Sequence, residues 1–198
     1  MRYDKNHKAQ TRSAVVRNAS ERFRRDGIQA VGIASLMADT GLTHGGFYVH
    51  FKSKEELVEV AIGAAFDSTI AALRYAVENP GKRAPIEALI GTYLSRAHRD
   101  HPAQGCAVVA LGPEVARMSA GTRHGFTRHI EELVGLIAQQ LNQKKDRKAR
   151  RQAAAGIFAT MVGALQMARA VDNETLSLVF IDAGRAAALA SARAFGLR

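Results

Sequence analysis

The chain has 198 residues, 47% of them hydrophobic, with one cysteine, no tryptophan and a formal net charge of +10 at pH 7. A chain of this length buries enough core to fold without disulfide or metal staples, and a single cysteine, Cys106, excludes an internal disulfide framework. The positive excess points to an anionic partner, either nucleic acid or an anionic membrane surface.

That charge is concentrated at the start. Residues 1–54 hold ten Lys/Arg against four Asp/Glu, a net +6, which leaves +4 for the other 144 residues. Met1 to Arg12 is polar and lacks the apolar stretch of a secretory signal. The most apolar run, Ala153 to Leu165, is followed soon by Gln166 and Arg169. A cytoplasmic protein with no membrane partner is the expectation.

The pattern along the chain is helical, with no sustained strand-like alternation. A first helix is expected from about His7 to Asp26, with Val15, Ala19 and Phe23 as its apolar stripe and Gly27 as its stop. A second runs from Ile33 to Thr40 and ends at Gly41, and a third, His44 to Phe51, follows at once. Two short helices joined so tightly have the form of a helix-turn-helix.

Ser53, with Glu56 three residues later, reads as a capping box starting a fourth helix that runs to Glu78 before the breaker "NPGK". Pro85 suits the first turn of a fifth helix. Further helices are expected over Cys106 to Met118, Thr122 to Leu141, Arg147 to Val171 and Glu174 to Phe195. The fold class is therefore all-α with about nine helices.

The stretch "THGGFYVHFKSK", residues 43–54, carries the chemistry. On a helical wheel Phe47 and Phe51 share one stripe while Gly45, Tyr48 and Val49 lie broadly opposite, so one face anchors and the other is free to touch. A glycine inside a helix costs about 1 kcal/mol relative to alanine, a cost that makes sense where bare backbone must approach another surface. Tyr48 and Lys54 are donors suited to phosphate, Thr43 and His44 can reach phosphate or base edges, and Val49 can meet a thymine methyl. The wheel sets His50 to one side and assigns it no contact. The alternative is that Gly45 and Gly46 form only a loop and Tyr48 is half-buried.

With these residues in hand, positions 7–62 resemble the DNA-binding domain of the TetR/AcrR family of bacterial transcription regulators. The resemblance rests on "ERFRRDGIQAVGIASLMADTGLTHGGFYVHFKSKEELVEVAI", above all "GLTHGGFYVHFKSKEEL" at 41–57. It implies a helix-turn-helix DNA-binding domain over residues 1–52 and a helical ligand-binding and dimerisation domain over 53–198. It implies also that Thr43, His44, Gly45 and Gly46 sit at the groove, that Tyr48, His50 and Arg12 hold phosphates, and that Lys54 pins the DNA backbone. Two departures stand out. Where relatives often begin the second helix with a threonine cap and place an arginine two residues on, this chain has Gly32 and Ala34.

In the second part, "AAAGIFATMVGALQMARA" and "DAGRAAALASARA" are rich in small residues and suit close helix packing, within the chain or between two chains. By the resemblance, the last two helices form a four-helix interface in a homodimer that reads a near-palindrome. Cys106, at a helix start, is either a thiol sensor whose thiolate the helix dipole stabilises or a small buried hydrophobe. The spacing of His98, His101 and Cys106 fits no common zinc pattern, so no metal and no cofactor is expected. The run "KKDRKARR" at 144–151 reads as a solvated loop and helix start.

The function expected is that of a ligand- or redox-responsive regulator, foremost a repressor, with double-stranded operator DNA and a small-molecule effector as partners. The competing readings are a non-specific architectural DNA binder and a small thiol-dependent enzyme. The latter lacks a local nucleophile and base pattern, so no enzyme is expected.

Overall fold

The computed structural model describes residues 2–196 of the chain. Among them are nine α-helices and no β-strand: α1 Arg2–Asp26, α2 Ile33–Asp39, α3 Lys54–Glu78, α4 Pro85–Tyr93, α5 Arg96–Asp100, α6 Ala107–Val115, α7 Ala120–Gln139, α8 Arg147–Ala170 and α9 Glu174–Phe195. Two 3-10 helices, His44–Val49 and Pro102–Gln104, complete the order.

Most boundaries follow from local chemistry. Gly27 and Gly41 end α1 and the α2 turn at φ +87° and +72°, where a side chain would be strained. The Ser53 hydroxyl accepts from the Glu56 N–H at 3.1 Å, while the Glu56 carboxylate accepts from the Lys52 N–H at 2.7 Å. The returning bond of the capping box thus lands one residue before the cap. Helix α3 then runs 25 residues without a break.

Three elements differ from the sequence-based expectation. Helix α1 begins at Arg2 rather than near His7, because apolar periodicity marks only the part of a helix that packs and says nothing of polar turns beyond it. The segment expected as an α-helix over His44–Phe51 is a 3-10 helix over His44–Val49, held by the i to i+3 bonds Gly46 N–H to Thr43 O (3.0 Å) and His50 N–H to Phe47 O (2.9 Å). Two adjacent glycines weaken the α form there, and the Thr43 hydroxyl caps the Gly46 N–H at 3.3 Å. Helix α5 was not expected; it is one short turn capped by Ser95 and buries no residue completely.

Helix α1 lays Val15, Ala19 and Phe23 against α3, and one hydrophobic cluster extends from there to Ile181, Ala188 and Ala192 of α9. Helices α8 and α9 form an antiparallel pair so close that a methyl at Gly184 would overlap the Ala164 side chain. Gly156 and Gly163 of α8, in contrast, face open space.

Candidate nucleic-acid interface

The 3-10 helix is anchored on one side and bare on the other. Phe47 is fully buried and stacks on Phe51, with ring centroids 5.4 Å apart. Tyr48 and Val49, the next residues, are 63% and 58% exposed. Thr43, His44 and Gly45 are exposed beside them, and the His44 ring lies 6.1 Å from that of Tyr48.

A Cβ built on Gly45 meets nothing within 4 Å, and one on Gly46 makes only ordinary contacts, with Thr43 Oγ1 at 3.6 Å and Met37 Cε at 3.8 Å. Neither glycine has a positive φ. The fold itself therefore does not require glycine at these two positions, and the surface they leave is open to an outside partner.

The remaining cations and His50 are more tightly engaged. Arg12 stands over the Phe51 ring at 4.7 Å and reaches the Glu56 carboxylate at 3.5 Å, with 38% of its side chain exposed. Lys54 donates to the Ile28 carbonyl at 2.8 Å, so part of its bonding capacity is spent on the turn after α1. His50 is half-buried and its Nδ1 has no hydrogen-bond partner. Burial, reinforced by the positive charges of Lys8 and Arg12, lowers its pKa and favours the neutral ring.

Helix α2 opens with Gly32, whose missing side chain leaves no cap; the Ser35 hydroxyl donates back to the Gly32 carbonyl at 2.9 Å instead. Ala34 is exposed.

Sequence reasoning missed the residues that hold this lobe against the rest of the chain. Glu114, on α6, accepts from the Ile28 N–H at 3.2 Å and the Gln29 N–H at 3.1 Å. Arg24, on α1, donates to the Gly105 carbonyl at 2.8 Å. These pairs lie 81 to 86 residues apart, and no local pattern announces them.

Cys106 is the N-cap of α6 and completely buried. Burial pushes its thiol pKa up, and the neighbouring Tyr93 hydroxyl and the Val108 and Val109 N–H groups offset only part of that. The expected stabilisation of a thiolate by the helix start is therefore outweighed by desolvation. His98 offers the thiol no base: its Nε2 accepts from the Cys106 N–H at 2.9 Å and its Nδ1 bonds the Tyr93 carbonyl at 2.6 Å. Both ring nitrogens are spent on main chain, which fixes the neutral Nδ1–H tautomer. Burial lowers the pKa of His98 to about 4. Among the described residues no group of three or more His, Cys, Asp or Glu side chains is placed to hold a metal ion.

Residues 15–61 match the family model described as bacterial regulatory proteins, tetR family. A search of curated proteins gave no match. Among solved structures, the chain is similar to a TetR transcriptional regulator from Chloroflexus aurantiacus J-10-FL, with 24% identity, 91% of this chain and 95% of that chain covered, and a TM-score of 0.74. It is similar also to the reduced form of E. coli NemR (18% identity, 90% and 95% covered, TM-score 0.73). A TetR-family regulator from Cytophaga hutchinsonii gives 19% identity, 93% and 96% coverage and a TM-score of 0.74. At these identities the likeness is one of fold, whereas the amino-terminal match is one of sequence family. The amino-terminal segment, residues 15–61, thus carries the helix-turn-helix DNA-binding domain of the tetR family of bacterial regulatory proteins, and the chain as a whole shares the fold of TetR-family regulators.

Proposed function

We propose that the protein is a dimeric transcriptional repressor that holds a near-palindromic operator in the cytoplasm and lets go when a small-molecule effector binds. Residues 1–52 act as the reading unit and 53–198 as the effector and dimer unit. The observation that carries the reading is the two-sided 3-10 helix: Phe47 is locked in the core while Thr43, His44, bare Gly45 and Tyr48 share an open surface. Thr43, His44, Gly45 and Gly46 lie at the major groove, Tyr48 and His50 bind phosphates through their outer edges, and Arg12 and Lys54 add charge beside them.

Dimerisation is supported by α8 and α9. Both have the length and apolarity of membrane-crossing helices, yet only 33% and 28% of their most apolar windows are buried within the chain. Gly156, Gly163 and Met167 on α8 and Leu176, Val179 and Ala183 on α9 stand exposed. A two-fold copy seated on this face removes that surface from water and sets two recognition helices about one DNA turn, ~34 Å, or slightly more apart.

A buried, base-free Cys106 favours a non-covalent effector over thiol chemistry as the signal. The effector acts by binding the releasing arrangement more tightly than the DNA-holding one. Selection of bound fragments from random DNA tests the reading. An enriched inverted repeat supports it; retention of all sequences alike, with steep salt dependence, replaces it with an architectural binder.

A further inference from the structure

A cleft of about 500 Å³ lies between α1 and α3 and ends at the 3-10 turn Pro102–Gln104. Its volume falls in the range of small-ligand sites, about 300–1,000 Å³. Val16, Val60 and Ala64 give it an apolar side, and Arg17, Ser20 and Arg24 a polar one.

Two of the polar groups are withdrawn from water without full compensation. Arg24 is only 7% exposed, and its hydrogen bonds run to main-chain carbonyls, those of Ser20 at 3.1 Å and Gly105 at 2.8 Å. It forms no ion pair among the described residues. Ser20 is 4% exposed and its hydroxyl has no hydrogen-bond partner. Buried guanidinium and hydroxyl groups are ordinarily matched, and an anion in the cleft matches both. Arg17, exposed at the rim, adds a second positive charge.

The Glu21 carboxylate also lines the cleft and disfavours a doubly charged guest such as phosphate. A singly charged, planar head meets a guanidinium fork well, and the apolar wall asks for a hydrocarbon body. We propose that this cleft binds a small organic carboxylate, its head among Arg17, Arg24 and the Ser20 hydroxyl and its body along Val16, Val60 and Ala64. The guest competes with the Gly105 carbonyl for Arg24 and so loosens a tie between α1 and the segment before α6. That regulatory consequence rests on the effector-responsive reading above; the binding itself does not.

The test is calorimetric titration of the full chain, without DNA, by octanoate and 1-naphthoate, each beside its primary amide. Arg17→Gln and Ser20→Ala serve as variants, since Arg24 also holds the fold and its loss confuses binding with folding; helical circular dichroism verifies both. The expected result is one saturable site per chain for at least one acid, at least about tenfold weaker binding of its amide, and a loss of about threefold or more in each variant. No saturation by either acid, equal binding of acid and amide, or full affinity in both variants overturns the proposal. Saturable binding in a protein that selects no operator keeps the site and removes only its regulatory role.

Discussion

Glu114 bonds the main-chain N–H of Ile28 at 3.2 Å across 86 residues of sequence, and its second oxygen takes the N–H of Gln29 at 3.1 Å. One carboxylate on α6 thereby caps the turn that leads from α1 into α2. Removing it in Glu114→Ala orphans two N–H groups and is expected to cost about 1–3 kcal/mol. For a chain of this size, that is a drop in Tm of about 2–4 °C per kcal/mol, measurable by calorimetry. Glu114→Gln, which keeps one acceptor, is expected to fall between the two. A Tm unchanged in Glu114→Ala means that the clasp carries no weight.

Gly45→Ala separates folding from contact. Because nothing in the chain stands within 4 Å of the added methyl, its Tm is expected to stay equal or rise slightly. Operator affinity, read by fluorescence anisotropy, is expected to fall about tenfold or more as the methyl props the backbone away from the groove. Tyr48→Phe, which removes only the exposed hydroxyl, should weaken binding about fivefold at every sequence alike. Unaltered affinity in both variants rejects the placement of this surface at DNA.

Lys54 has two jobs open to it, and salt tells them apart. Its bond to the Ile28 carbonyl predicts that Lys54→Met lowers Tm, since an acceptor in the α1–α2 turn loses its partner. If the same ammonium also meets a phosphate, the slope of log affinity against log salt falls by about one in the variant. A lower Tm with an unchanged slope assigns Lys54 to the turn alone.

His98 makes stability depend on pH. Its pKa in the folded chain is about 4, below the ordinary value of 6.5, so between those values the unfolded chain binds the extra proton. Stability is complete above pH 6.5 and is lost as pH falls toward 4, by at most about 3 kcal/mol. His98→Gln, judged by urea denaturation at pH 7 and pH 5, should flatten that dependence. Equal slopes for the two proteins would mean that other groups set it.

Cys106 should be a slow thiol. Completely buried and with its pKa raised, it is expected to react with a water-soluble disulfide reagent at least about a hundredfold more slowly in the native protein than after denaturation. Cys106→Ser should then leave operator binding and effector release intact. Rapid native labelling accompanied by loss of DNA restores the thiol as the signal.

The parts legible in the sequence are those written in adjacent residues. Gly27, Gly41 and Ser53 marked helix ends through backbone freedom and capping, and the Phe47/Phe51 stripe against Tyr48 told the anchored face from the open one. The exact form of the His44–Val49 helix was not legible, because two glycines leave α and 3-10 turns close in energy. The Glu114 and Arg24 ties were hidden for a different reason: each joins a side chain to a distant main-chain group, which carries no residue identity to pair with. At Cys106 the sequence left two readings open because a helix start and a buried site act oppositely on a thiol, and burial is a property of the whole fold.

Helix α3 spans 25 residues from Lys54, just after the 3-10 helix, to Glu78, a rod of about 37 Å. A tilt of three degrees about its far end swings Lys54 by about 2 Å, and in a two-fold pair the two displacements add to about 4 Å. The rise per base pair is about 3.4 Å, so in the dimer proposed above a tilt of that size would carry the two reading heads about one base step out of phase with an operator.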